Sequence, residues 1–272
     1  MTPETNRKSE IEMAEIKGQV VVVTGGSRGI GAGIVRAFVA AGASVAFNGR
    51  DKQKGEAFAD ELGAPGRVWF RQGSAIVRED VAALIDGAVE RFGKLDVLVN
   101  NVGGSSATKM VVDMSEQEWD DDLRLNLTST FLATQVALGH MLPANYGSII
   151  NISSVEGKQG TAAMSVYCTA KHGLNGFTKA VAAEVGRQGV TVNAICPGLI
   201  LTDAVTDGGP DLAASLGMTF DEMVENLFKS KTMTGELNTV EQVADLALLL
   251  AGPAGRGITG AQLSVDGGIA TY

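Results

Sequence analysis

Cysteine and histidine are scarce. The 272 residues contain two of each: Cys168 and Cys196, His140 and His172. Two cysteines without C-x-x-C spacing build no disulfide framework, and the four residues show no metal-ligand spacing. Neither a catalytic metal nor a Ser-His-Asp hydrolase is expected. Positive charge is also short: 22 Lys and Arg face 31 Asp and Glu, a net charge of −9. Nucleic-acid affinity comes largely from Lys and Arg on phosphates, and anionic membranes attract the same groups. Neither partner is expected. No stretch approaches the roughly 20 apolar residues of a membrane span. Residues 1–18 hold no apolar run longer than two, hence no signal-peptide core. The expectation is a cytoplasmic protein in a reducing compartment acting on a small molecule. In the cytosol the sequons at Asn126 and Asn151 carry no meaning.

Glycine, by contrast, is abundant. There are 35, nearly twice the usual ~7%, with no collagen period, which points to tight turns and close backbone approaches. Hydrophobic residues at 45% and charged residues at 19% suit a globular chain. Short β-branched runs at 19–24, 44–48, 68–71, 97–100, 148–152, 191–195 and 262–265 read as strands. Between them, 31–41, 52–62, 79–92, 116–141, 165–187 and 240–250 read as helices. Several strands are nearly all apolar, as in sheets covered on both faces. Strand-helix alternation predicts an α/β fold with a parallel sheet and right-handed crossovers. Residues 1–16 read as a frayed leader and 17–272 as a single domain. Residues 203–238 are too long for a connection in a compact domain, which predicts an active-site lid.

The run Val20-Val21-Val22-Val23 leads into Thr24-Gly25-Gly26-Ser27-Arg28-Gly29-Ile30-Gly31, and a helix follows. Gly25 and Gly29 allow a sharp turn and close approach to a pyrophosphate. Gly31 allows tight helix-strand packing. The helix N-terminus offers unpaired N–H groups and roughly +0.5 charge to an anion. Strand, glycine turn and helix at the first βα unit predict dinucleotide binding.

The spacing G-x-x-x-G-x-G resembles the N-terminal motif of the short-chain dehydrogenase/reductase family. Asn100-Asn101-Val102-Gly103 resembles that family's N-N-A-G, with Val102 in place of Ala. Pro197-Gly198 and Asp266-Gly267-Gly268 are also typical, so the likeness runs from about Lys17 to Tyr272. It implies a single doubly wound Rossmann domain with a mostly parallel seven-stranded sheet and helices on both faces. Members similar to 3-oxoacyl-acyl-carrier-protein reductases fit best. The resemblance places the cofactor along Gly25, Ser27, Arg28, Gly29, Ile30 and Gly31, then Arg50, Ser74, Ala75, Asn101 and Gly103. It continues through Tyr167, Lys171, Pro197, Gly198, Ile200 and Thr202. At position 49, where an NAD-binding member carries Asp, there is Gly. Arg28 and Arg50 suit a 2′-phosphate. NADP(H) is the expected cofactor, with NAD(H) as the alternative. Ser74 stands where the family often has an adenine-binding Asp.

Tyr167-Cys168-Thr169-Ala170-Lys171 is a Y-x-x-x-K, which puts Tyr and Lys on one helix face. A phenol of pKa ~10 needs a nearby positive charge to act as a base near neutrality. Ser154 lies 13 residues before Tyr167 at the end of a strand, the spacing of the family's catalytic Ser; Ser153 is read as structural. Asn126 matches the family's fourth catalytic position. The resemblance implies that Tyr167 exchanges a proton with the substrate oxygen and that Ser154 hydrogen-bonds it. Lys171 then lowers the Tyr167 pKa and binds the nicotinamide ribose, and Asn126 positions a relay water. Hydride moves between nicotinamide and a carbonyl or secondary alcohol carbon.

The lid's apolar residues are Leu212, Leu216, Met218, Phe220, Met223, Leu227, Phe228 and Met233. They suit either a pocket for an elongated ketone or packing of the lid on the body. The lid resembles those of 3-oxoacyl reductases, 3-hydroxybutyrate dehydrogenases and polyketide ketoreductases. Val155-Glu156-Gly157 resembles hydroxysteroid and alicyclic-alcohol members. A catalytically silent dinucleotide-binding regulator is the alternative class, but such relatives lose the Tyr or Lys that this chain keeps. Helices 116–141 and 165–187 are longer than the ~11–12-residue average. Ala133, Ala137, Leu174, Phe177, Ala180 and Val181 are expected on their outer surfaces. The family pairs these helices across a two-fold axis, so a homotetramer is expected, with a dimer as the alternative.

Overall fold

The computed structural model describes residues 16–105, 108–215 and 217–270. Seven strands form one sheet: β1 (Val20–Val23), β2 (Ser44–Gly49), β3 (Val68–Gln72), β4 (Val97–Asn100), β5 (Gly147–Ile152), β6 (Val190–Pro197) and β7 (Gln262–Val265). Their order is β3-β2-β1-β4-β5-β6-β7, and every pairing is parallel. β1 sits between β2 and β4, with Val21 opposite both Val45 and Val97. Strand order reverses there, and in such sheets ligands bind beyond the carboxyl ends of the strands at that point.

Side chains of a strand alternate between faces, and β1 shows it. Val21 and Val23 join one buried cluster with Ile34, Phe38, Phe47, Val243 and Leu250. Val22 joins the other with Leu84, Leu98, Ala137, Met141 and Val181. The first layer is covered by α1 (Gly29–Ala40), α2 (Lys52–Glu61) and α9 (Val240–Ala251). The second is covered by α3 (Arg78–Phe92), α5 (Ser129–Ala144) and α6 (Ser165–Val185). Gly33 lets α1 approach Val240 of α9, where a Cβ would collide. Thr239 and Gln242 close α9 with a reciprocal capping box.

Three differences from the sequence reading matter. Ile16, placed in the leader, is buried in the first cluster, so the packed body begins one residue earlier; residues 1–15 lie outside the described residues. Helix 116–141 is present and runs on to Ala144, but it is not regular: α4 (Glu116–Leu123) passes through a π-turn (Arg124–Thr128) into α5. The segment 203–238 is largely helical, with α7 (Asp203–Ser215), α8 (Phe220–Met223), a π-turn (Val224–Phe228) and a 3-10 turn (Lys229–Lys231). Gly209 of α7 gives room to the Phe220 ring, and Met223 is buried. The Phe220 ring thus packs the segment on itself. Leu216 and the side chain of Leu212 lie outside the described residues. No helix among the described residues is long and apolar enough to cross a membrane.

Candidate active site

The glycine turn is held from below. Thr24 Oγ1 accepts from the Asn101 N–H at 3.1 Å. Asn101 Nδ2 donates to the carbonyls of Thr24 and Gly25, both at 3.1 Å. Asn48 Oδ1, buried at the end of β2, accepts from Gly25 N–H at 2.8 Å. Gly25 and Gly29 are left-handed, with φ +65° and +54°, as a sharp turn requires. A Cβ on Gly31 would stand 2.5 Å from both Asn101 Nδ2 and the Gly25 carbonyl. Gly31 is therefore required by the Asn101 strut beneath the turn, a closer reason than the helix-strand packing expected from sequence. Thr24 opens the glycine run read in the sequence, whereas no motif marks Asn48, whose polar side chain in an otherwise apolar strand is the available signal.

Arg28 is the N-cap residue of α1 and makes no side-chain cap, so the first N–H groups of the helix remain open to an anion. A Cβ on Gly49 would stand 2.6 Å from Ser27 Oγ. The ends of β1 and β2 thus bring Arg28 and Arg50 to the same rim. Both are exposed, and neither has an ion-pair partner among the described residues. Ser74 N–H donates to Asp80 Oδ2 at 2.8 Å, and Ala75 beside it is buried. Gly198 N–H closes on the Val265 carbonyl at 3.0 Å. Pro197 and Ile200 are buried, and Thr202 lies 3.4 Å from where a Gly29 Cβ would be. An uncapped helix N-terminus, a glycine cradle that side chains would fill, and two exposed guanidinium groups fit a nicotinamide dinucleotide.

The reacting groups converge past the ends of β4 and β5. Ser154, in extended conformation, opens the 3-10 turn Val155–Gly157, and its Oγ accepts from Glu156 N–H at 3.1 Å. The Tyr167 phenol, from the first turn of α6, comes close enough to the Ser154 hydroxyl for Ser154 to favour its ionised form. One turn on, Lys171 is buried; its Nζ donates to the Ile152 carbonyl at 2.9 Å and lies 5.5 Å from the Tyr167 ring centre. Ser153 is structural, as expected: its Oγ donates to the Lys171 carbonyl at 3.4 Å.

Asn126 is placed by the π-turn, a device common at functional sites. Its Nδ2 donates to the carbonyls of Asp122, at 2.9 Å, and Gly104, at 2.7 Å. Its Oδ1 accepts from Gly104 N–H at 3.0 Å. Asn126 therefore clamps the loop after β4 as well as facing the centre. Its Oδ1 and Lys171 Nζ lie 2.8 and 2.9 Å from where a Cβ on Gly103 would stand. The missing side chain of Gly103 leaves room for both groups.

Burial dominates the electrostatics. It pushes the Tyr167 phenol up to about 12; the Ser154 hydroxyl opposes this, while Glu156, Cys168 and Asp122 reinforce it. The expected lowering by Lys171 does not prevail in the chain alone, because burial of Lys171 also brings its own value down to about 8. Lys171 therefore keeps its charge at neutral pH and sheds it only above about 8, while burial of the phenol prevails at Tyr167. Cys168 and Cys196 are buried and free, as expected, though the Cys168 thiol donates to Glu156 Oε2 at 3.3 Å. His172 lies on the exposed face of α6, away from these groups.

Residues 19–212 match the family model for the short chain dehydrogenases. The chain belongs to the short-chain dehydrogenase/reductase family. It is 37% identical to the D-beta-hydroxybutyrate dehydrogenase of Rhizobium meliloti (strain 1021), over 92% of the chain and 98% of that protein. It is 36% identical to the 3-oxoacyl-acyl-carrier-protein reductase FabG of Chlamydia pneumoniae, over 94% and 98%. The structure superposes on a single-substitution variant of actinorhodin polyketide ketoreductase with NADPH at TM-score 0.88 and 32% identity, covering 93% and 98%. As a short-chain dehydrogenase, the protein binds a nicotinamide dinucleotide and transfers hydride between it and a carbonyl or secondary alcohol carbon. The cofactor supplies the hydride chemistry.

Proposed function

We propose that the protein reduces a ketone to a secondary alcohol, drawing hydride from NADPH in preference to NADH. Asn126, Ser154, Tyr167 and Lys171 carry the chemistry. The observation that carries the reading is the approach of the Tyr167 phenol to the Ser154 hydroxyl past the end of β5, with the phenol held protonated near 12. A phenol that keeps its proton is suited to donate it to a nascent alkoxide. The relatives named above act on a hydroxy acid or on acyl chains carried by a protein, and both classes are candidate substrates. The segment 203–238 is the lid over them. A panel of ketones and alcohols offered with NADPH and NADH tests the reading; no cofactor turnover with any ketone would reject it.

Cofactor preference follows from the rim at Arg28 and Arg50. Gly49 offers no carboxylate for a ribose 2′-OH, and both guanidinium groups are exposed, without an ion-pair partner among the described residues. Wild-type kcat/KM should favour NADPH, and Arg50→Asp should move the ratio toward NADH by about tenfold or more, since bidentate Arg-phosphate contacts are among the stronger charge-assisted bonds. A clear wild-type preference for NADH would reject this.

Assembly as a homotetramer, with a dimer as the alternative, needs a different surface from the one read in the sequence. Ala133, Ala137, Leu174 and Val181 are buried within their own subunit, because these positions face the sheet. What α5 and α6 turn outward is Phe131, Gln135 and Gly139, and Gly176 and Ala180. A Cβ on Gly139 or Gly176 would meet nothing. Mid-helix Gly costs about 1 kcal/mol relative to Ala, and close approach of a second helix is a reason to keep it. Light scattering should give four times 28.2 kDa; a mass of one chain at micromolar concentration would reject assembly.

A further inference from the structure

Beside the reacting pair stands a carboxylate that hydride transfer does not use. Glu156 follows Ser154 by two residues, and its backbone N–H donates to Ser154 Oγ at 3.1 Å. Its side chain lies against the start of α6. Oε1 accepts from Thr161 Oγ1 at 3.0 Å, and Oε2 accepts from the Cys168 thiol at 3.3 Å. Both donors are neutral. No Lys, Arg or His forms an ion pair with Glu156 among the described residues.

The nearby ammonium groups are committed elsewhere. Lys171 is bonded to the Ile152 carbonyl, and Lys158 to the Gln262 carbonyl and Ser264 Oγ. The Glu156 charge is felt at the Tyr167 phenol, where it favours the neutral form. Its side chain is half-buried rather than sealed. Each carboxylate oxygen can accept more than the one bond it makes.

We propose that Glu156 selects substrate by charge: the site takes neutral ketones, favouring those with a hydrogen-bond donor near the carbonyl, and rejects ketones bearing a free carboxylate there. The inference rests on the ketoreductase reading and narrows its substrate class. A negative charge brought beside Ser154 and Tyr167 meets an unpaired like charge in a partly desolvated cleft, which is how sites exclude a competitor rather than merely favour a partner. A neutral ester or thioester meets no such opposition.

The probes are acetoacetate and methyl acetoacetate, which carry the same reacting ketone and differ in charge beside it. Dissociation constants are measured by titration of the NADP-loaded protein, and kcat/KM is measured with NADPH. The wild type should favour the ester by about tenfold or more in both quantities, as expected for like charges a few ångströms apart at intermediate dielectric. Glu156→Gln, which keeps the shape and an acceptor for Thr161, should bring both ratios to within about threefold. Equal or tighter binding of acetoacetate by the wild type, or an unchanged ratio in Glu156→Gln, would overturn the proposal. The binding ratio reads the selector even if neither probe is turned over, an outcome that counts against the ketoreductase reading alone.

Discussion

Replacing Tyr167 by Phe is expected to lower kcat/KM by about 10²–10⁴-fold, the worth of a positioned general acid, while leaving the fold intact. The ring stays in place in α6, and only the phenolic oxygen near Ser154 is lost. Ser154 Oγ keeps its bond from Glu156 N–H, so the oxygen-binding end of the site retains its shape. Cofactor affinity, read by quenching of protein fluorescence, should change little. The phenol's value of about 12 adds a directional expectation. It stays protonated across the neutral range, so ketone reduction should not fall for want of that proton. Alcohol oxidation needs the phenolate and should climb with alkaline pH. Turnover of Tyr167→Phe within a few-fold of wild type would show that the proton comes from elsewhere.

Lys171→Met should separate function from stability. Activity should drop by at least about a hundredfold, because the group behind the phenol is gone. Stability at pH 7 should rise. Burial holds the Lys171 ammonium at about 8 against an ordinary 10.5. Keeping that charge below pH 8 therefore costs the folded state about 3 kcal/mol. Losing the bond to the Ile152 carbonyl offsets about 1–2 kcal/mol of this, leaving a net gain on the order of 1 kcal/mol. The sign with pH is definite. Between about 8 and 10.5 the unfolded chain binds more protons at this position than the folded one, so Lys171 makes wild-type stability rise with pH. The advantage of Lys171→Met over wild type, from urea unfolding at several pH values, should shrink across that window and then reverse sign, because the whole cost of about 3 kcal/mol disappears while the bond remains. A difference that stays constant would mean that Lys171 is not held in a desolvated site. On the proposed mechanism the chemistry needs a cation there, and the destabilising lysine is a trade between stability and activity.

Much of this protein was legible in the sequence because its signals are local. Apolar runs mark β4 and β7 with the boundaries read from sequence, 97–100 and 262–265. The first glycine turn is marked by residues whose backbone conformation few others can adopt. Fixed spacing along a helix puts Tyr167 and Lys171 on one face, and a strand end puts Ser154 before them. Other features depend on what the segments touch. Residues 116–141 have the composition of one helix; the widened turn at Arg124–Thr128 lets Asn126 meet Gly104 and Asp122 at once. Ala133 and Val181 are apolar on any reading, and only docking on the sheet turns them inward. Gly208, Gly209 and Pro210 are poor helix formers, yet they lie in α7, where Gly209 accepts the Phe220 ring. Y-x-x-x-K by itself suggests an activated phenol, whereas burial of both partners keeps the proton on Tyr167 and makes Lys171 titrate low. The order of strands, turns and reactive groups came from the chain alone, since each is set by neighbours along it. Desolvation, the facing of helices and the unpaired charge of Glu156 came from the folded molecule, because each depends on atoms brought together from distant parts of the chain.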